Sequence, residues 1–248
     1  MASPAPLTTQ TISDGINIKY TQATDTPLVT DDDGKLRINL INEGIDRWQF
    51  FNNVRWRELL VLNFQGPTIQ TNTVTYSIDA SDFRELSSRL RLLCTDGSYK
   101  YVEIYSPQRY QRYMDSKGNV ETDDNGLVCC ISGNPSAGYQ INLGWVPGAL
   151  SGDVTVGAVA YFDYYKFADK MVSMTDVPEM QNPQFLVSYV TGELFVDDDV
   201  NLWTKFNTDA MNVLGDMSTD NDEMPDYESN AIEDNGEWAR GGGFRFGV

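Results

Sequence analysis

The residues with the most evident capacity for chemistry are carboxylates. The run Glu121-Thr122-Asp123-Asp124-Asn125-Gly126 sets oxygen donors at positions 1, 3 and 5 of a calcium loop and glycine at position 6. Position 12, which needs a bidentate carboxylate, falls on Ser132, and β-rich sequence follows where a helix should stand. The run therefore reads as a turn between strands with Asn125-Gly126 at its tip, and Ca²⁺ or Mg²⁺ binding near 121–125 is the weaker reading. Two aspartate triplets, Asp31-Asp32-Asp33 and Asp197-Asp198-Asp199, each precede an apolar helical repeat. They read as helix caps, because a helix N-terminus offers unpaired N–H groups and the positive end of its dipole. Paired carboxylates for glycoside hydrolysis carry no specificity, since 36 acidic residues place some pair ~5 to 9 Å apart in any fold.

What is missing excludes more. The 248 residues include no histidine, which removes Ser-His-Asp and Cys-His nucleophiles, His-ligated zinc and two-His iron sites. No phosphate-binding glycine loop, dinucleotide fingerprint or Gly-x-Ser-x-Gly elbow occurs. The expectation is a protein that is not an enzyme and has no cofactor. With 18 basic residues and a net charge of −18, a non-specific nucleic-acid binder is also excluded, because phosphate affinity rests on Lys and Arg. Cys94, Cys129 and Cys130 form no Cys-x-x-Cys pair, and they read as buried small residues of a reduced compartment. No basic n-region or apolar span appears, so the chain is expected to be soluble, made in a cytoplasm and without a membrane partner.

These residues need a scaffold, and the periodicity supplies one. Residues 1–30, rich in Thr, Ser, Pro, Asp and Gln, read as an N-terminal arm. Leu36, Leu40, Ile41, Ile45 and Trp48 then recur at helical spacing toward Phe51. A second helical pattern follows Pro183 with Phe185, Leu186, Tyr189 and Val190, and a third carries Leu202, Phe206, Ala210, Val213, Leu214 and Met217. Short amphipathic helices must bury their faces against something, so segments 31–59 and 183–218 are predicted to form one discontinuous bundle. Its core is assigned to Leu40, Ile41, Ile45, Trp48, Phe185, Leu186, Tyr189, Leu202 and Phe206.

Between them, residues 60–168 alternate or run β-rich at 73–78, 86–94, 99–105, 127–132, 139–143 and 154–165, with turn signals between the runs. A short helix fits 107–114. The predicted fold class is thus α+β: a small helical bundle from both ends of the chain, an inserted antiparallel β-sandwich, a connecting loop over 169–182 and an extended C-terminal tail. Tyr139, Trp145, Tyr161, Tyr164 and Tyr165 suit a sugar-binding face of such a sandwich, which makes a carbohydrate-binding module the alternative function. Alternating aromatics in strands more often pack in a core.

The tail, 219–248, holds eight acidic and two basic residues. A merely solvating tail has little use for Trp238, Phe244 and Phe246 beside Arg240 and Arg245, residue types that dominate interface energetics. The composition fits a segment that orders on a partner.

Three stretches resemble the head–tail adaptor proteins of tailed bacteriophages, the connector group that includes tail tubular protein A. The first is Asn42-Glu43-Gly44-Ile45-Asp46-Arg47-Trp48 followed by Trp56-Arg57-Glu58-Leu59. The second runs from Ile141-Asn142-Leu143 through Trp145-Val146-Pro147 to 158–166. The third is 175–187, then Asp197-Asp198-Asp199 and a helix with Trp203. Together they span roughly residues 33 to 220, and the group's Leu-Pro-x-Asp-Phe phrase is present only as Asp79-Ala80-Ser81-Asp82-Phe83. The resemblance implies a virion structural protein at the head–tail junction. It would form a dodecameric ring of identical subunits, dock on the portal protein after DNA packaging and offer its other face to tail or nozzle proteins. DNA would pass the lumen without specific binding. The resemblance also implies that the tail reaches the portal, with Trp238, Phe244 and Phe246 as anchors and Arg240 and Arg245 as charge contacts.

Overall fold

The computed structural model describes residues 7–22, 30–117, 127–149 and 152–222. Trp238, Arg240, Phe244, Arg245, Phe246 and the run 121–126 therefore lie outside the described residues. Within them the chain is α+β, with five α-helices and eight strands.

The helices are α1 (Thr9–Thr21), α2 (Asp32–Gln49), α3 (Pro107–Lys117), α4 (Gln184–Leu194) and α5 (Val200–Asp222). Helix α1 corrects the reading of residues 1–30 as an unpacked arm. Thr8 caps it, accepting from the Thr11 N–H at 3.3 Å, and Ile12 and Ile16 one turn apart are fully buried. Two isoleucines are too short a stripe to announce a helix. Its remaining buried positions are Thr9, Ser13 and Asn17; the side chains of Thr9 and Asn17 find partners in the tertiary fold. Asn17 Oδ1 accepts from Arg37 Nη2 at 2.8 Å, and the backbone N–H groups of Thr9 and Gln10 donate to Asp176 and Met174 of the connecting segment at 2.8 and 2.9 Å.

Helix α2 buries Arg37, Ile38, Ile41, Gly44, Ile45 and Trp48, leaving Leu36 exposed. Its glycine lets α4 approach closely: a Cβ at Gly44 would stand 2.7 Å from Leu186 Cδ2 and 2.9 Å from Tyr189 Cδ1. Ile12, Ile16, Ile41, Ile45, Trp48, Phe185, Leu186, Val190, Ala210, Leu214 and Met217 close one core. Of the predicted core residues Leu40 packs against its margin, and Leu202 and Phe206 are half-buried. Trp56 and Leu59 join the same core as the chain leaves for the sheet, with the indole N–H of Trp56 donating to the Trp48 carbonyl at 2.7 Å.

The strands are β1 (Leu60–Thr68), β2 (Thr75–Ile78), β3 (Phe83–Leu86), β4 (Leu90–Leu93), β5 (Tyr99–Ile104), β6 (Leu127–Asn134), β7 (Gly138–Leu143) and β8 (Val159–Lys166). They form a single sheet in the order β1-β8-β4-β5-β6-β7-β2, with β3 also paired to β8. Every pairing is antiparallel except β5–β6, between which α3 lies in the chain. The inserted β unit is thus one mixed sheet that curls on itself instead of two clearly separated layers. Phe83 on β3 and Tyr139 on β7, far apart in the strand order, bring their rings to 4.9 Å. The curl encloses Leu90, Leu92, Val102, Cys129, Ile141, Leu143, Phe162 and Tyr164 in a second core. At one end of the strand order, β1 carries two register irregularities, Asn63 at φ 54° and Pro67, features that make an edge a poor template for further strands.

Candidate functional site

Asp31 occupies the N-cap position of α2 in extended conformation without a side-chain capping bond, and Asp32 and Asp33 lie in the first turn. Asp32 pairs with Lys35 at 3.2 Å. Asp199 accepts from the N–H groups of Asn201 and Leu202 at 2.9 and 3.2 Å at the start of α5. Asp198 accepts from the Tyr20 hydroxyl at 3.2 Å, tying α1 to the α4–α5 turn. Partial burial and that carboxylate together push the Tyr20 phenol above its usual pKa. Asp197 sits in the same exposed turn.

The acidity is not spread evenly. Residues 7–22, 30–49 and 184–222, which hold α1, α2, α4 and α5, contain 14 acidic and 5 basic side chains, net −9. The β unit with α3, residues 50–168, contains 12 acidic and 10 basic, net −2. On α5 the exposed residues Asp209, Asn212, Asp216, Thr219 and Asp220 fall on one stripe, opposite the buried Ala210, Leu214 and Met217. At 1.5 Å per residue this helix of 23 residues is about 34 Å long, and the stripe from Asp209 to Asp220 covers about 16 Å of it.

The sheet has two unlike faces, and register fixes which side chains share the outer one. Gln65 of β1 pairs with Tyr161 of β8, Tyr161 with Arg91 of β4, and Arg91 with Tyr101 of β5. One step along, Thr68, Val159, Leu93 and Tyr99 make a second row. Tyr99 is 58% exposed and Tyr101 42%. Helix α3 covers the adjoining part of this face: Tyr113 reaches the backbone at Gly144, and the Tyr110 hydroxyl donates to the Leu143 carbonyl at 2.9 Å. Burial pushes the Tyr110 phenol up. Arg109 of α3 stacks over Tyr105 at 3.7 Å and stands 3.9 Å from Glu103.

Asp163, two residues along β8 from Tyr161 and on the same face, anchors the rows. With its side chain 9% exposed, it accepts from the Asn63 N–H at 2.5 Å, the Ser88 hydroxyl at 2.9 Å and Arg91 Nη2 at 3.1 Å. One carboxylate thus holds the bulge of β1, the approach to β4 and the guanidinium that faces outward. The connecting segment is bound as tightly. Asn42 exchanges two hydrogen bonds with the Met171 backbone at 2.9 and 2.8 Å, Lys166 pairs with Glu179, and Lys170 pairs with Asp46. Asp176 accepts from Ser173 Oγ and from the N–H groups of Val172 and Ser173, which holds its carboxyl below the usual range.

Tyr164 and Trp145, two of the aromatics considered for sugar binding, are buried, and Tyr139, Tyr161 and Tyr165 are half-buried. The aromatics that do stand out on the sheet, Tyr99 and Tyr101, escaped the sequence reading because β5 carries large residues on both alternations. Only the pairing partners reveal which face is open. The resolved carboxylate shifts at Asp96, Asp153 and Asp176 are all downward, opposite to what a general acid requires. Among the described residues no three His, Cys, Asp or Glu side chains converge on a metal-sized site, and no helix is long and apolar enough to cross a membrane. Comparison with protein-family models and with curated proteins returns no match.

Proposed function

We propose that this chain is a structural virion protein, a head–tail adaptor whose copies form a ring that docks on the portal protein and carries tail or nozzle proteins. The observation that supports this reading best is the division of charge: −9 on the helical elements against −2 on the β unit and α3. A ring built from the helical elements, with the α5 stripe of Asp209, Asp216 and Asp220 toward its axis, presents a wall that repels phosphate. DNA then slides past without being held. The near-neutral sheet, with tyrosines and arginines on its open face, is the part suited to protein contact. Residues 238–248, which contain Trp238, Arg240, Phe244, Arg245 and Phe246 and no acid, would supply the portal anchors.

The experiment is a mass measurement by light scattering of the chain alone and mixed with purified portal rings. The reading expects a discrete species of portal plus a fixed number of adaptor copies, and loss of that species when residues 238–248 are removed. A chain that stays monomeric and leaves the portal peak unchanged defeats it.

A further inference from the structure

We infer that residues 223–237, the segment that follows α5, dock on the arginine–tyrosine face of the same chain's sheet. The face is built from Arg91, Tyr99, Tyr101 and Tyr161 on three adjacent strands, bordered by Arg109 and Arg112 of α3. Arg109 is 64% exposed at its side chain and Arg112 is exposed. The acids nearby are few. Glu103 lies 3.9 Å from Arg109, Asp163 is paired with Arg91 at 3.1 Å, and Asp115 accepts from Gln111 at 2.9 Å. In a chain of net charge −18, this surface brings arginines together with open aromatic rings on adjacent strands.

The occupant follows from charge and reach. Residues 223–237 contain Glu223, Asp226, Glu228, Glu233, Asp234 and Glu237 with no basic residue, and carry Met224, Tyr227 and Ile232 among them. Carboxylates complement the guanidinium forks, and the apolar side chains complement the tyrosine rings. Just before this segment, Asn221 donates to the Arg55 carbonyl at 3.0 Å and accepts from the Arg57 N–H at 3.1 Å. The chain therefore leaves α5 beside the start of β1. From Leu60 to Gln65, on the first row of the face, is about 17 Å of strand. An unconstrained chain of this length would span about 21 Å on average, so a tether of that length gives the segment an effective concentration over the face of roughly millimolar. Residues 238–248 stay free for another partner, and the inference does not depend on ring formation.

Hydrogen–deuterium exchange on the full chain, without portal, tests it. At 0.1 M salt residues 223–237 should exchange about tenfold more slowly than in the R109E/R112E variant. The protection should vanish at 1 M salt, where screening shortens from about 10 Å to about 3 Å. The variant E233K/D234K/E237K, whose residues lie far enough along the segment to reach α3, must lose protection equally, and because it leaves α3 and the sheet untouched it decides the matter if the arginine variant misfolds. Equal, fast exchange in all chains overturns the proposal. Protection that rises with protein concentration overturns the same-chain occupant in favour of a second copy. Protection independent of concentration and lost in the charge variants supports it.

Discussion

Replacing Asp163 by alanine removes one carboxylate and leaves three donors without their acceptor: the Asn63 N–H, the Ser88 hydroxyl and Arg91 Nη2. A hydrogen bond to a charged group contributes about 1.5 to 3 kcal/mol, and a neutral one about 1. The Arg91 side chain is 31% exposed, so water rehydrates much of it and that pair counts for about 0.5 kcal/mol. The Asn63 amide is fixed by a left-handed residue inside a bulge and cannot turn to another acceptor. Together these give a loss of about 3 kcal/mol for D163A. D163N, which keeps the shape and one acceptor, should lose about half of that. For a chain of this size the alanine change corresponds to a fall in Tm of about 6 to 12 °C. Urea unfolding of the two variants beside the parent measures it, and hydrogen exchange should show the Asn63 amide opening first. A loss below about 0.5 kcal/mol for D163A would refute the assignment of Asp163 as the anchor of the outer face.

Glycine positions separate packing from propensity. Gly44→Ala should destabilise by about 1 kcal/mol, because the clash with Leu186 and Tyr189 exceeds the helical gain. Gly215→Ala, with nothing within 4 Å of the added carbon, should stabilise by about 0.5 to 1 kcal/mol; chemical denaturation distinguishes the two signs. Partial burial raises the Asp153 carboxyl, but hydrogen bonds from the Gly148 and Thr155 N–H groups and the Thr155 hydroxyl outweigh it and hold the pKa low. A depressed native pKa means stability that is present above about pH 4 and lost as pH falls through the native value. D153N should therefore show a flatter acid limb in thermal melts taken from pH 5 to pH 2. Burial pushes the Cys129 thiol up to about 12, so its thiolate is about a thousandfold scarcer than usual at pH 8. Maleimide labelling followed by peptide mapping should find Cys129 unmodified in the folded chain and modified after denaturation.

The layout of helices at both ends around a β unit was legible because long apolar periods such as 38–48 and 185–190 survive any choice of partners. Helix α1 was not, since its inward face is mostly Thr, Ser and Asn, and Thr9 and Asn17 can be buried there only because the connecting segment and Arg37 supply their partners. The curl of the sheet was equally hidden. Alternation in 99–104 or 139–143 fixes the pleat of each strand, but the order that brings Phe83 to Tyr139 and makes β5–β6 parallel depends on contacts far apart in sequence. The charge total was plain from composition, whereas its division between helices and sheet needed the element boundaries. Of the outer face, the individual tyrosines and arginines were visible but the rows they form were not, because register is a property of pairs of strands.

The most direct test of the connector account is an electron-microscopy reconstruction of the chain mixed with portal rings. The account predicts an added ring at one end of the portal, with the α5 stripe of Asp209, Asp216 and Asp220 facing the axial channel and the sheet directed away from it. Portal rings that remain bare, or an added ring whose acidic stripe faces outward, would contradict it.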